Sequence, residues 1–318
     1  MIRTPLCDLL DIQYPIVQGG MAWIATAELA TAVSEGGGLG VIGGGDCPPD
    51  YVLEQVRRTK DLTDRPFGVN IPLFSAHVSE VIDVCIGEGV KVVLTGAGTP
   101  GPYVPRLKAA GILVIPVVAS VALARRLERA GVDAIVAEGA ESGGHVGDVG
   151  TMPLVPQVVD AVRVPVIAAG GIADGRGLVA ALALGAQGVQ LGTRFVCATE
   201  CVAHPNYKSR IVRAGDRSTM TTGHSLGHPV RAIRNRLTQE FAALERSGCA
   251  PEDVIRLGTG SLRRAAIEGD VDAGSVMAGQ SCGLIADILP AAELIQRIMQ
   301  EARDCLDRLG QHLALEAP

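Results

Sequence analysis

Short apolar runs recur along the first 195 residues and alternate with longer stretches in which apolar positions follow a helical period. The short runs are rich in β-branched residues and end in or near glycine, which is typical of buried parallel strands. Their alternation with helices predicts βαβ units. Eight such units favour a closed (β/α)8 TIM barrel of the α/β class, with a doubly wound open sheet as the alternative. The predicted strands cover residues 16–20, 39–44, 67–73, 91–96, 113–120, 134–139, 165–171 and 188–195.

The pattern changes after residue 195, where the chain becomes more polar and the alternation of strand and helix stops. We predict that residues 197–273 form a small helical subdomain, inserted after strand eight and covering the barrel mouth as a substrate lid. The barrel itself takes residues 1–196 and 274–318. The helices predicted in these later parts cover residues 230–246, 251–255, 260–268, 284–289 and 291–310.

The composition indicates a ligand site and disfavours several classes of binding partner. Forty of the 318 residues are glycine, well above the ~7% of average proteins, and they gather at strand ends, where loops approach ligands. A formal net charge of −6 without runs of like charge disfavours nucleic acid and anionic membranes as partners. We find no apolar stretch long enough for a membrane span, no signal peptide and no CxxC pair among the eight cysteines. We therefore expect a cytoplasmic protein with reduced thiols.

Two glycine loops stand where (β/α)8 barrels commonly bind phosphate, after strands seven and eight. Strand seven ends in Gly170 and Gly171, and the end of strand eight contains Gly192 and Thr193. Glycine lets backbone N–H groups approach phosphate oxygens, and a following helix N-terminus adds positive potential. The alternative is that these glycines only make tight turns. Their occurrence at matching positions of consecutive strands favours a phosphate site.

Other strand ends fit a flat cofactor with polar edges. Asn70 ends strand three and offers an amide, and Glu138 ends strand six and offers an acceptor for a hydroxyl group. Each has the alternative of an ordinary polar residue that caps a loop. The complete predicted cofactor-binding set is Gly20, Met21, Ala22, Asn70, Glu138, Gly144, Gly170, Gly171, Gln190, Gly192, Thr193, Met277, Gly279 and Gln280.

His145 lies in a glycine-containing loop, residues 141–148, directly after strand six. Histidine exchanges a proton near neutral pH, and a flexible loop lets the side chain approach a substrate. A loop histidine is often merely solvated, but the position between cofactor-contacting strands favours His145 as the catalytic residue.

A metal site is the competing use of the remaining histidines. His204, His224 and His228 follow Cys197 and Cys201 in the chain, but their spacing matches no zinc motif. We therefore expect no metal ion, and structural or substrate-channel roles for these side chains.

Four segments carry a family resemblance that covers nearly the whole chain, from Pro15 onward. Residues 141–145, 165–174, 190–195 and 274–280 resemble the nitronate monooxygenase / enoyl-acyl-carrier-protein reductase II superfamily. The reductase branch of this superfamily is resembled most by residues 203–208, 227–235 and 269–272.

The resemblance implies an FMN enzyme. In the reductase branch NADH or NADPH reduces the flavin, which passes hydride to the β-carbon of an enoyl thioester carried by acyl carrier protein or CoA. His145 would then position or polarise the thioester, whereas in the monooxygenase branch it would remove the proton α to a nitro group. The family also implies a homodimer. A barrel that binds another phosphorylated metabolite without redox chemistry is the third hypothesis.

The chain departs from the reductase pattern at residues 222–226, where a differently placed histidine and an aromatic side chain are expected. Aromatic residues make up only 3% of the chain, so we expect aliphatic side chains to line an acyl channel. No GxGxxG fingerprint marks a separate nicotinamide site, so NAD(P)H and the thioester are expected to use the same mouth in turn.

Overall fold

The computed structural model describes residues 2–45, 47–248 and 250–312. Eight parallel strands form one sheet: β1 (Ile16–Gln18), β2 (Gly40–Gly43), β3 (Phe67–Pro72), β4 (Val92–Gly96), β5 (Leu113–Val118), β6 (Ile135–Glu138), β8 (Val166–Ala169) and β9 (Gly188–Leu191). Their order in the sheet is β1-β9-β8-β6-β5-β4-β3-β2. Leu39, next to β2, bridges to Val17 of β1 and closes the sheet into a barrel. The predicted (β/α)8 TIM barrel is therefore confirmed.

Helices follow most barrel strands and form the outer layer. Strands seven and eight of the sequence prediction correspond to β8 and β9, since the short β7 (Gly144–His145) lies in the loop after β6. The helices of the barrel are α1 (Pro5–Leu10), α2 (Ala27–Glu35), α3 (Pro49–Leu62), α4 (Val78–Gly87), α5 (Val104–Ala109), α6 (Val121–Arg129), α7 (Thr151–Val159), α8 (Gly175–Ala183), α9 (Thr193–Val196) and the terminal α14 (Ala291–His312). No helix in the described parts is long and apolar enough to cross a membrane.

Alternate strand residues face the barrel interior, because successive side chains of a strand point to opposite faces. Val17, Val92 and Ile115 belong to an inner cluster that Leu6 of α1 closes from the N-terminal end of the strands. Their neighbours in sequence pack outward against the helices, as Ile16 does. The interior is therefore a packed core at one end and leaves its opposite end, the mouth, for the site.

The subdomain between β9 and α14 combines helices with a small sheet. It contains helices α10 (Pro205–Val212), α11 (Arg236–Ser247), α12 (Pro251–Gly258) and α13 (Ser261–Ala266), strands β10 (Thr219–Thr222) and β11 (Val230–Ile233), and the short 3₁₀ helices His224–Leu226 and Gln280–Leu284. Strands β10, β11 and β7 form an antiparallel sheet that joins the subdomain to the loop after β6.

Three local predictions are wrong. The helix predicted at 230–246 begins only at Arg236, since residues 230–233 pair with two strands. The helix predicted at 284–289 is absent, because Leu289 bridges to Ala198 in an extended segment. Strand eight ends at Leu191 and not at Phe195, which lies in α9. Each region depends on a partner that is distant in sequence, and local periodicity does not record such partners.

Candidate active site

Three polar side chains point into the barrel at its mouth. Asn70 is in register with Leu94, and both Glu138 and Gln190 are in register with Ala169. Leu94 and Ala169 belong to the inner cluster, and side chains in register on neighbouring parallel strands share a face. Asn70, Glu138 and Gln190 therefore converge on one inner layer, as the sequence analysis predicted.

The loop after β1 lies directly against this layer. A Cβ on Gly20 would stand 2.3 Å from Cβ of Asn70, so only glycine permits this approach. The side chain of Gln190 lies 3.5 Å from the position of a Cβ on Gly19. Its Oε1 atom is buried without a hydrogen-bond partner among the described residues. A buried amide oxygen without a partner is costly, so Gln190 has an unused acceptor for a bound ligand.

The two glycines after β8 have a backbone conformation that other residues rarely adopt. Gly170 and Gly171 have φ values of 95° and 72°, in the left-handed region that other residues rarely occupy. On the neighbouring strand β9, Gly192 precedes α9, and a Cβ there would meet only Met21, whose Sδ lies 3.9 Å away. A Cβ on Gly170 would lie 2.9 Å from the carbonyl oxygen of Gly139, and one on Gly171 would lie 3.4 Å from Cβ of Glu141. The backbone is therefore open at Gly192 and more closely packed at Gly170.

Thr193 and the loop at 277–280 close one side of this open backbone. The N–H of Gly279 donates a hydrogen bond to Thr193 Oγ1 at 2.9 Å, which leaves the hydroxyl proton available to a ligand. The hydroxyl of Tyr207, a fully buried side chain, donates to the carbonyl of Met277 at 2.7 Å and holds this loop in place. Gln280 is exposed, and its backbone N–H donates to the carbonyl of Glu141.

The helix that follows the β8 loop does not contribute as the sequence analysis expected. The carboxylate of Asp174 accepts hydrogen bonds from the N–H groups of Arg176 and Gly177, and that of Glu301 accepts from Gly175. These groups form the first turn of α8, so its N-terminus is already capped. A phosphate at this end of the barrel would therefore meet the glycine loops and the N-terminus of α9, which has no side-chain cap.

Glu141 and Thr151 brace the loops, and sequence reasoning missed both. The Glu141 carboxylate accepts from the Thr151 N–H at 2.9 Å, and the Thr151 hydroxyl lies 3.0 Å from the Gly170 carbonyl. The first contact caps α7 from the loop after β6, and the second reaches the loop after β8. No local pattern marks this pair, because the two residues are ten positions apart and meet only in the folded barrel.

His145 lies at the open side of the mouth. It belongs to β7 and pairs with Val230 of β11, so the subdomain sheet positions it. The ring of Phe74, whose side chain is 60% exposed, stands 5.8 Å from the imidazole. This aromatic contact was not predicted from the sequence. Partial burial lowers the pKa of His145, and the neighbouring His228 lowers it further, so the imidazole is neutral at neutral pH.

The pKa of Glu138 is shifted in the opposite direction, upward. Burial raises its pKa to about 7, because removal from water disfavours the carboxylate, and the nearby Ser142 hydroxyl opposes this rise. Near neutral pH the group can therefore either donate or accept a hydrogen bond at the floor of the mouth.

The residues considered for zinc have structural roles. His204 accepts a hydrogen bond from the Asn206 N–H and caps α10. Cys197 and Cys201 are buried, and burial raises their pKa values to about 12 and about 11. Within residues 2–45, 47–248 and 250–312, no group of three or more His, Cys, Asp or Glu side chains could hold a metal ion.

Known proteins that resemble this chain identify its family. The family model described as nitronate monooxygenase matches residues 3–83 and 72–301. The chain belongs to the nitronate monooxygenase family. Members of this family and the related FabK enzymes are flavin-dependent oxidoreductases, so this family member is an oxidoreductase.

Three relatives of this family member span almost its entire length. A solved structure of FabK from Thermotoga maritima is 50% identical, with a TM-score of 0.96, and the match covers 98% of this chain and 100% of that chain. The nitroalkane oxidase of Streptomyces ansochromogenes is 31% identical with a TM-score of 0.84, over 96% and 99% of the two chains. An indene-carboxyl-CoA dehydrogenase of Mycobacterium tuberculosis is 35% identical over 95% of this chain and 96% of its own.

The residues at the mouth of this family member fit FMN. The glycine loops at Gly170–Gly171 and Gly192–Thr193 would hold the phosphate, and the unpartnered amide oxygen of Gln190 would accept from the ring or the ribityl chain. Asn70 and Glu138 face the same space. The fit rests on glycine backbone rather than on a basic side chain, with the Glu141 side chain 3.4 Å from the Cβ position of Gly171.

Replacement of Gly171 by valine should prevent flavin binding. The new side chain would fill the space in which the phosphate approaches the backbone, and it would strain a left-handed residue by about 1–2 kcal/mol. We expect purified Gly171→Val to fold but to show no visible flavin absorption after incubation with FMN.

Gly111→Val is the matched control. Gly111 has a similar φ of 74° and open space around its Cβ position, but it precedes β5 at the other end of the barrel. The Gly111→Val variant carries the same backbone strain without touching the cradle, so the purified protein should keep its flavin and its yellow colour. Equal loss of flavin in both variants would contradict the assignment of the cradle.

The raised pKa of Glu138 predicts a pH-dependent stability of the flavin-free protein. The protonated side chain is favoured in the fold, so its contribution to stability is present below the ordinary pKa of 4.5 and is lost as the pH rises to about 7. Between about pH 5 and about pH 8, the wild type should lose about 1–3 kcal/mol more unfolding free energy than Glu138→Gln.

Chemical denaturation at both pH values measures this difference. Glu80→Gln, at an exposed position of α4, should follow the wild type. Parallel pH curves for the wild type and Glu138→Gln would show that Glu138 is not held protonated.

Proposed function

We propose that this protein is an FMN-dependent NAD(P)H oxidoreductase that reduces the 2,3 double bond of enoyl thioesters, as in fatty acid synthesis. The observation that carries the proposal is the likeness to FabK, an enoyl-acyl-carrier-protein reductase II, at 50% identity and a TM-score of 0.96. The nitroalkane oxidase is less similar in sequence and structure, at 31% and 0.84.

The surroundings of His145 support a thioester substrate. An exposed aromatic ring, Phe74, stands beside a neutral imidazole at the open side of the mouth. A neutral imidazole donates one hydrogen bond, and such a donor polarises a thioester carbonyl. Phe74 and Met277, whose Sδ lies 3.7 Å from the Cβ position of Gly144, would cover the apolar acyl chain.

Bound FMN would supply a two-electron carrier between NAD(P)H and the double bond, which the side chains of this protein cannot provide. The glycine loops after β8 and β9 would hold its phosphate, and Asn70, Glu138 and Gln190 its polar groups. His145 would orient the thioester so that its β-carbon faces the flavin. The other expected properties, an acyl carrier protein or CoA substrate, a homodimer and a cytoplasmic location, remain predictions.

Nitronate monooxygenase activity is the second candidate, and the family model favours it by its description. The lowered pKa of His145 fits this chemistry too, because a neutral imidazole can accept the proton α to a nitro group. The choice between the two depends on the substrate and not on the cradle.

Anaerobic mixing separates the candidates. We expect NADH or NADPH to bleach the flavin, and crotonyl thioester to restore its absorption with formation of the saturated product. Reduced flavin that is untouched by enoyl thioesters in this mixture, together with oxygen consumption when an alkyl nitronate is added in a parallel aerobic assay, would overturn the reductase in favour of the monooxygenase. Protein that stays colourless after incubation with FMN would overturn both.

His145→Ala should separate flavin binding from turnover. We expect the variant to keep its FMN and its reduction by NAD(P)H, because the glycine loops hold the cofactor. Turnover of the second substrate should fall about 100-fold or more. The control His224→Ala removes an exposed histidine of the same subdomain and should retain activity. Loss of flavin from His145→Ala with unchanged activity per bound flavin would contradict the role of His145.

A further inference from the structure

A cleft lined by four arginines lies on the subdomain, apart from the flavin cradle. Its volume is 510 Å³, and its walls come from α10, the segment before β10 and the end of β11. The arginines are Arg210, Arg213, Arg217 and Arg234, and no acidic side chain lines the cleft.

The positive charge of this cleft is not neutralised. None of its four arginines forms an ion pair with any other residue in the described ranges. Residues 205–236 contain seven Lys and Arg but a single acidic residue, Asp216, in a chain of net charge −6. Such a local excess of one sign in an acidic protein attracts anions.

Two of the guanidinium groups are held by the backbone. Arg210 donates to the carbonyl of Arg234 at 2.9 Å, and Arg234 donates to the carbonyl of Thr219 at 3.3 Å. Arg213 and Arg217 are exposed, and within the described residues their guanidinium groups form no hydrogen bond or ion pair. Guanidinium groups bind phosphate with paired, charge-assisted hydrogen bonds, and the cleft offers both fixed and adjustable ones.

The cleft is joined to the candidate active site by two elements. Tyr207 of α10 holds the Met277 loop, while Arg210 on the same helix lines the cleft. Strand β11 pairs with His145 at Val230 and leads to Arg234. Four residues of extended chain span roughly 13 Å, so the cleft and the residue that pairs with His145 are separated by about that distance along the chain.

We propose that the arginine cleft binds the phosphate groups of the 3′-phospho-ADP portion of a CoA thioester whose acyl end lies at His145. This rests on the proposed thioester substrate. A concave cleft of this volume suits a nucleotide better than the surface of a carrier protein. The relative from Mycobacterium tuberculosis is named as acting on a carboxyl-CoA. The diphosphate of NAD(P)H has the same phosphate chemistry, and the experiment below distinguishes it.

Calorimetric titration with adenosine 3′,5′-bisphosphate tests the cleft without turnover. We expect the wild type to bind this CoA fragment, and Arg213→Ala/Arg217→Ala to bind it more than about tenfold more weakly, since two charge-assisted contacts are lost. The control Arg236→Ala/Arg256→Ala removes two arginines whose ion pairs lie outside the cleft, and it should bind like the wild type. Equal binding by the wild type and both variants, or no binding by the wild type, would overturn the proposal.

Steady-state kinetics then identify the source of the phosphate. In Arg213→Ala/Arg217→Ala, KM for crotonyl-CoA should rise about tenfold or more, while KM for crotonyl-N-acetylcysteamine, which carries no phosphate, and KM for NAD(P)H should stay unchanged. A rise in KM for NAD(P)H alone would overturn the assignment of the cleft to CoA. If no enoyl thioester is reduced, the proposed function fails, but the titration still decides whether the cleft binds the CoA fragment.

Discussion

Closure of the eight-stranded parallel ring is the constraint on which the site depends. The bridge between Val17 and Leu39 joins the first two strands of the chain at the seam of the sheet. Once the ring is closed, the two-residue alternation of each strand sends every second side chain inward. Asn70, Glu138 and Gln190 then meet at the mouth, although they are far apart in sequence.

Closure of the barrel also places a buried carboxyl group and neutral backbone at the mouth, whereas the arginines lie on the subdomain. Glu138 lies on the inner layer, where loss of water raises its pKa, while the cradle at Gly170 and Gly171 is neutral backbone. The basic side chains gather instead on the subdomain, around Arg213 and Arg217. Binding of an anion at the barrel thus depends on N–H groups, whereas the subdomain offers full charges, and the two regions suit different parts of a ligand.

The subdomain helps to position the site, because its sheet includes part of the loop after β6. The pairing of β7 with β11 fixes His145 relative to residues almost ninety positions later in the chain. Tyr207 supports the Met277 loop from the same subdomain. The side chain proposed to act on the substrate and the loop at 277–280 are therefore both positioned by the insertion.

The sequence by itself determined the barrel, the inward polar residues and the glycine loops, because strand periodicity and glycine at strand ends are local signals. Tertiary structure alone decided the brace between Glu141 and Thr151, the contact of Phe74 with His145 and the strand at 230–233. These features join segments that are separate in the chain, and pairing across such distances depends on packing rather than on local propensity. The capped first turn of α8 is the same kind of case, since Glu301 reaches it from the far end of the chain.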